Sequence, residues 1–301
     1  MKYKSYITII AAIFLIAIAA SVTSDTPDFV SETQNEETIS NVPTPDITQL
    51  DIGEMFVYDF GTIKLHAYNS NDYIADQVFL LESNNELILI ELLPFYDNIE
   101  EFANYVLGLG KPLTSVIIAY HPAGADAHQH TKMYASQGLG EAALVPIFAE
   151  QFGEIFNDSM PETYELVRSG EMTISGVEFN VIQTDSAFDL EIPEINVYFT
   201  HMVGKNTHNI LPSIDAIDGM IAWMKNIQSK NYDLILSGHD IPRTIEISAE
   251  KIAYLEKTKE FALSSIDAEA FIQVMNNAFP NYYGENYLEM SAEALFAVPS
   301  N

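Results

Sequence analysis

Ser115–His130 reads S-V-I-I-A-Y-H-P-A-G-A-D-A-H-Q-H, an apolar β-type run that empties into a loop holding three histidines and an aspartate. Two later stretches repeat the pattern. Asn196–Thr200 (N-V-Y-F-T) runs straight into His201, and Tyr232–Ser237 (Y-D-L-I-L-S) runs through Gly238 into His239. Of the seven histidines in the chain, five lie in these three segments, and His208 follows His201 by seven residues. Histidines delivered by separate strand ends point to a site along one edge of a sheet.

Upstream, Met55–Tyr58 and Ile63–Tyr68 have strand composition around the turn at Asp59–Gly61, and Gln77–Glu82 with Glu86–Glu91 predicts a hairpin across Asn84-Asn85. Asp97–Leu109 carries Ile99, Phe102, Ala103 and Val106 at helical spacing, with Asp97 placed to cap and Gly108 and Gly110 at the stop. Strand, helix and the strand Ser115–Tyr120 form a βαβ-like unit, which sets His121 on the edge where α/β proteins collect ligands.

Downstream, the pattern predicts a short helix at Thr131–Ser136, a strand end at Ala143–Val145 and a helical turn at Pro161–Arg168. Glu171–Ile174 and Val177–Gln183 flank Ser175-Gly176 as a second hairpin, and Ile195–Thr200 is a further strand. Ser213 caps an amphipathic helix to about Ser229, Asp233–Ser237 is a buried strand, and Ser248–Leu263 and Asp267–Ala278 are helices. The tail Tyr282–Asn301 is expected to pack on the domain surface. Because the hairpin–strand–helix order occurs twice, two halves packed sheet against sheet with helices outside give an α/β fold, a four-layer αββα sandwich.

The chain has 301 residues and 48% hydrophobic content, enough for one large domain with a buried core. Its formal net charge of −30 repels phosphate backbones and anionic membranes, so nucleic acid is not an expected partner. Lys2 and Lys4 precede an uncharged apolar run from Ile7 to Ala20, the pattern of a secretory signal peptide. That run falls short of the roughly 20 residues of a membrane span. Residues 1–24 are therefore expected to be a signal peptide, 25–50 a disordered linker rich in Ser, Thr, Glu and Pro, and 51–301 the folded domain. The protein is expected to be secreted or periplasmic, with no stable membrane association after cleavage. With no cysteine, neither disulfides nor thiol catalysis are available. There is also no P-loop and no G-x-S-x-G elbow.

Neutral imidazoles suit zinc and iron, and a catalytic ion needs about three protein ligands plus an open position. His121, His201 and His239 are the candidate metal ligands. Asp126 is the candidate fourth ligand or catalytic base, and His208, with Asn209, is expected at the pocket mouth in contact with substrate. Asp240 is placed to orient His239. His128 and His130 read as loop residues and His66 as structural.

The order of segments from Met55 to Thr244 resembles the metallo-β-lactamase superfamily, in which a strand leads to H-x-H-x-D-H, a later strand ends in an Asp ligand, and a final G-H follows the next helix and strand. Here Tyr120-His121-Pro122 resembles the first motif, Thr200-His201 stands in the place of the strand-end aspartate, and Ser237-Gly238-His239-Asp240 resembles the last. The resemblance implies an αββα sandwich with a metal site between the sheets. The departures are specific: Ala123 replaces the second histidine, Asp126 stands five residues after His121 instead of four, His128 is displaced by one, and no histidine lies near Ala143–Phe148, where the family supplies another ligand. These argue against a two-metal centre. Three readings remain. One is a mononuclear hydrolase of an ester, lactone, amide or phosphoester, using one divalent metal (zinc, or iron) on a small-molecule substrate. The second is a catalytically degenerate protein of this fold that binds a small molecule or protein partner without metal. The third is an exported structural or interaction module.

Overall fold

The computed structural model describes residues 42–184 and 187–297. The expected signal peptide and most of the expected linker lie outside the described residues. No described helix is long and apolar enough to cross a membrane.

Two sheets stack face to face. The first runs in chain order: β1 (Asp46–Gln49), β2 (Glu54–Asp59), β3 (Lys64–Asn69), β4 (Gln77–Glu82), β5 (Leu87–Ile90), β6 (Leu113–Ile118), β7 (Lys132–Ala135) and β8 (Glu165–Leu166). It is antiparallel to β5 and parallel from β5 to β8. The second holds β9 (Gly170–Ile174), β10 (Val177–Gln183), β11 (Phe188–Ile192), β12 (Val197–Thr200), β13 (Leu234–Ser237) and β14 (Asp240–Arg243). Only β12 and β13 pair in parallel there. A parallel pair needs a crossover. Helix α1 (Tyr96–Gly108) supplies it between β5 and β6, and α3 (Ile214–Lys230) between β12 and β13.

Alternation decides which faces meet. Val177, Phe179 and Val181 of β10 point inward and pack with Leu65, Phe79, Leu81, Ile88 and Ile117 of the first sheet. Their partners on the other face of the first sheet, such as Tyr68, Leu80 and Leu89, pack under Phe102 of α1. On the outer face of the second sheet, Tyr198 and Ile235 are covered by α3 and by α4 (Glu246–Ser264), α5 (Ala268–Ala278) and α6 (Glu285–Leu295). The result is the four-layer αββα sandwich. The turn at Ser175 and Gly176 has φ of 48° and 80°, the two positive values that a tight hairpin turn matched to strand twist requires.

Several local expectations are corrected. Thr131–Ser136 is not helical: Lys132–Ala135 is β7, drawn into the sheet by parallel pairing with β6. Ala143–Val145 belongs to a 3₁₀ turn leading into α2 (Val145–Phe152), not a strand, and Pro161–Arg168 contains the short edge strand β8. Asp97 does not cap α1, which starts one residue earlier, after Phe95. Asp46–Gln49, read as linker, is an exposed edge strand on β2. Ser213 does cap α3, accepting from the Ala216 amide at 3.1 Å.

Candidate metal centre

The parallel strand ends bring the three segments together. His121 lies three residues beyond β6, His201 directly follows β12, and His239 follows β13 through Gly238. The Nε2 atoms converge: His121 to His201 at 3.0 Å and His201 to His239 at 2.8 Å, with one ligand atom from each of the three within 4.8 Å of the others. The structure thus brings together the three histidines expected to ligate a metal.

Gly238 allows the convergence. A Cβ there would stand 2.9 Å from His201 Cδ2 and 3.2 Å from His121 Cε1. Its carbonyl accepts from the Gln77 amide at 2.8 Å, tying β13's exit to the start of β4. Tyr120 stacks on the His201 ring with centroids 4.6 Å apart, and its hydroxyl donates to buried Asp189 at 2.5 Å.

One outer nitrogen has a hydrogen-bond acceptor, and the other two stand near carboxyl groups. His239 Nδ1 lies 3.1 Å from the Ile74 carbonyl oxygen. A carbonyl only accepts, so His239 carries its proton on Nδ1 and presents a lone pair on Nε2. His201 Nδ1 is 3.4 Å from Glu141 Oε1, while His121 Nδ1 and His239 Nδ1 are 3.7 and 3.4 Å from Asp76 Oδ1. Burial holds all three imidazoles below their ordinary pKa, well below for His121 and His201, and each of these two is pushed further by its histidine neighbours. They are neutral, as ligands must be.

The sequence pattern did not mark the carboxylates that stand here. Glu91, at the end of β5, accepts from the amides of Ala119, Tyr120 and His121 at 3.1, 3.0 and 2.6 Å, fixing the chain as it leaves β6. It does so at a φ of 71°, a conformation costly for a residue with a Cβ and characteristic of functional sites. Its signal was an acid ending the apolar run L-I-L-I. Burial raises Glu91 and Glu141 to about 8 and raises Asp76 well above the carboxylate range. Asp76 Oδ1 and His121 Nδ1 are buried without a hydrogen-bond partner.

Four residues with expected site roles do other work. Asp126 is exposed and accepts from Asn157 Nδ2 at 2.6 Å and Ser159 Oγ at 3.0 Å, pinning the loop to a neighbouring segment and taking no part in the cluster. His208 is not at a pocket mouth. It is buried, with Nδ1 3.0 Å from the Tyr254 hydroxyl and its ring against Tyr282. The apolar face of α4 covers the loop and draws it in. Asn209 is likewise buried, receiving Lys251 Nζ at 2.9 Å. Asp240 accepts from the Lys205 amide and Arg243 and has no bond to His239.

A small, half-open pocket lies beside His121. Asp76, His121 and Glu141 are its polar residues, and the remainder, including Ile74, Pro122 and Ala123, are apolar.

The sequence matches no protein-family model, and no curated protein matches it. Solved structures do resemble it. The stereoselective inverting sec-alkylsulfatase Pisa1 from a Pseudomonas species aligns with a TM-score of 0.51 at 16% identity, over 76% of this chain and 48% of its own. The chain therefore spans about half the length of that enzyme. A metallo-beta-lactamase family protein from Thermus thermophilus aligns with a TM-score of 0.53 at 11% identity, over 73% of this chain and 86% of its own. The chain has the metallo-β-lactamase fold.

Proposed function

We propose that this chain is an exported, mononuclear metal-dependent hydrolase of an ester, lactone or amide bond, with His121, His201 and His239 holding one divalent ion. The observation that carries this is His201 Nε2, which faces two other imidazole nitrogens at 3.0 and 2.8 Å. A ring nitrogen has one proton or one lone pair, so it cannot satisfy both neighbours by hydrogen bonding. A cation accepting all three lone pairs resolves the conflict.

The fit is close. Bonds of 2.0–2.1 Å in a tetrahedral arrangement separate ligand nitrogens by about 3.3 Å, so the His121–His201 and His201–His239 pairs need open by only about half an ångström. His239 Nδ1 already faces the Ile74 carbonyl, which fixes its ligating tautomer, and carboxyl oxygens stand 3.7 Å from His121 Nδ1 and 3.4 Å from His201 Nδ1. Asp76, Glu91 and Glu141 ring the cluster as buried carboxyl groups, whose charged form a bound cation would favour. When bound, a divalent ion polarises a carbonyl oxygen and acidifies water to a pKa of about 7. Around it, the chain's residues orient and shield: Glu91 holds the His121 backbone, Tyr120 covers one face of His201, and the cavity beside His121 receives the substrate. Export is supported by the charged start and apolar run of residues 1–20.

The test is metal analysis of protein purified without chelator. About one equivalent of zinc or iron, lost in His121→Ala and His239→Ala, is expected for a site with three protein ligands. Less than about a tenth of an equivalent, unchanged after zinc or iron is added, overturns the reading in favour of a metal-free binding protein.

A further inference from the structure

We propose that the site takes an uncharged substrate whose apolar acyl group fills the cavity beside His121, and that it rejects anionic esters such as phosphates. This rests on the metal-hydrolase reading of the same site.

The walls and the charges argue together. Leu144, Val145 and Phe148, at the start of α2, face Pro94 and Phe156 across the cavity. Apart from Asp76, His121 and Glu141 every lining residue is apolar, which suits an uncharged apolar group. Phe95, Phe148, Phe152 and Phe156 continue the wall as an aromatic cluster, and Tyr73, 72% exposed, lies over Phe95 and Phe152 at centroid distances of 5.2 and 5.7 Å. Apolar surface thus runs from solvent to the inner cavity.

At the inner end stand Asp76 and Glu141, with Glu91 behind the His121 backbone. No lysine or arginine is among the described residues lining the cavity. A phosphate or sulfate ester would lose hydration against the apolar walls and find no guanidinium or ammonium on the lining to receive its charge. A neutral ester or lactone meets neither penalty. In its hydrolysis the water oxygen bonds to the acyl carbon and the bond from that carbon to the alcohol oxygen breaks. The electron pair leaves on the alcohol oxygen, which takes one proton from the water, and the other is released as the product acid ionises.

The experiment uses the full chain in two states. With metal removed by chelator, calorimetry measures binding of hexanamide and of hexyl phosphate, so the result does not depend on the metal. Hexanamide is expected to bind at least about tenfold more tightly, and Val145→Trp, which fills the cavity, to abolish that binding while leaving zinc stoichiometry intact. With zinc restored, kcat/KM for p-nitrophenyl hexanoate is expected to exceed that for the acetate by at least about tenfold, and Phe148→Ala to move the optimum to longer chains. Equal or tighter binding of hexyl phosphate, no hexanamide binding, or no chain-length preference overturns the proposal. If hexanamide binds as expected but zinc does not, the metal reading fails and the cavity assignment stands.

Discussion

Gly238→Ala offers a quantitative test of how the site is built. Gly238 has no positive φ, so alanine is allowed by the backbone and the whole effect falls on the space the glycine leaves open. The new Cβ would lie 2.9 Å from His201 Cδ2 and 3.2 Å from His121 Cε1. Carbon atoms rest at about 3.5–4.0 Å, so the His201 ring must retreat by at least about 0.6 Å. In metal-free protein the rings can turn aside. In the metal-bound state they are held by the bonds to the ion, so the overpacking cost of about 1–3 kcal/mol falls mainly on that state. At about 1.4 kcal/mol per tenfold, zinc affinity should drop roughly fivefold to 150-fold. The assay is zinc competition against a chromogenic chelator, with thermal unfolding of the metal-free form as control. The variant's metal-free melting temperature should stay close to the parent's, while its stabilisation by zinc shrinks. An unchanged zinc affinity in folded protein refutes the convergence of these rings on one ion.

Asp76→Asn keeps the side chain's size and removes the carboxylate facing His121 and His239; zinc affinity measured by chelator competition should fall by about 10–100-fold, and an unchanged value would show that Asp76 does not orient the ligands. Asp126→Ala should leave zinc stoichiometry and affinity as they are, because the residue is tied to Asn157 and Ser159; a drop in affinity would return it to the site. Metal-free protein should lose stability as pH rises above about 6.5, where the histidines are neutral in both folded and unfolded chains. The folded pKa values of Glu91 and Glu141, about 8, exceed their unfolded values, so the native state binds more protons and is penalised as pH rises through 8. Denaturant midpoints at pH 6.5 and 8.5, with and without zinc, check this, and a metal-free midpoint that rises with pH sinks it.

What the sequence made legible was whatever local periodicity and strand ends carry. The alternation in Val177–Gln183, the Ser213 cap and the apolar run before His121 each report a structure formed within a few residues. The same is true of the histidine set, because each member sits at the exit of a strand that is itself legible. Asp76, Glu91 and Glu141 escaped because their roles arise only when the sheets meet. Asp76 precedes β4 in one half of the chain, yet it faces His239 from the other, across 163 residues of sequence. Asp126 misled for the converse reason: its spacing from His121 suited a ligand, but Asn157 and Ser159 supply a better-matched partner set at the surface. His208 was placed by the polar character of its loop, while its burial was decided by α4, whose Tyr254 takes its Nδ1.

The departures from the family pattern and the cavity are one fact seen twice. Ala123 stands where the resemblance implies a second histidine, and Ala143–Phe148 is where it implies a further ligand. In the folded chain, Ala123, Leu144, Val145 and Phe148 all line the cavity beside His121. These positions are therefore given over to apolar wall, while the three histidines for a single ion remain together. A second cation would have to give up its hydration against these walls, and an apolar acyl group would not. Restoring ligands at Ala123 and Phe148 together should thus cost apolar binding before it gains a second metal. Ala123→His with Phe148→His should weaken hexanamide binding by at least about tenfold, in keeping with the loss of apolar contact. If hexanamide binding survives both substitutions, the cavity is not where the acyl group sits.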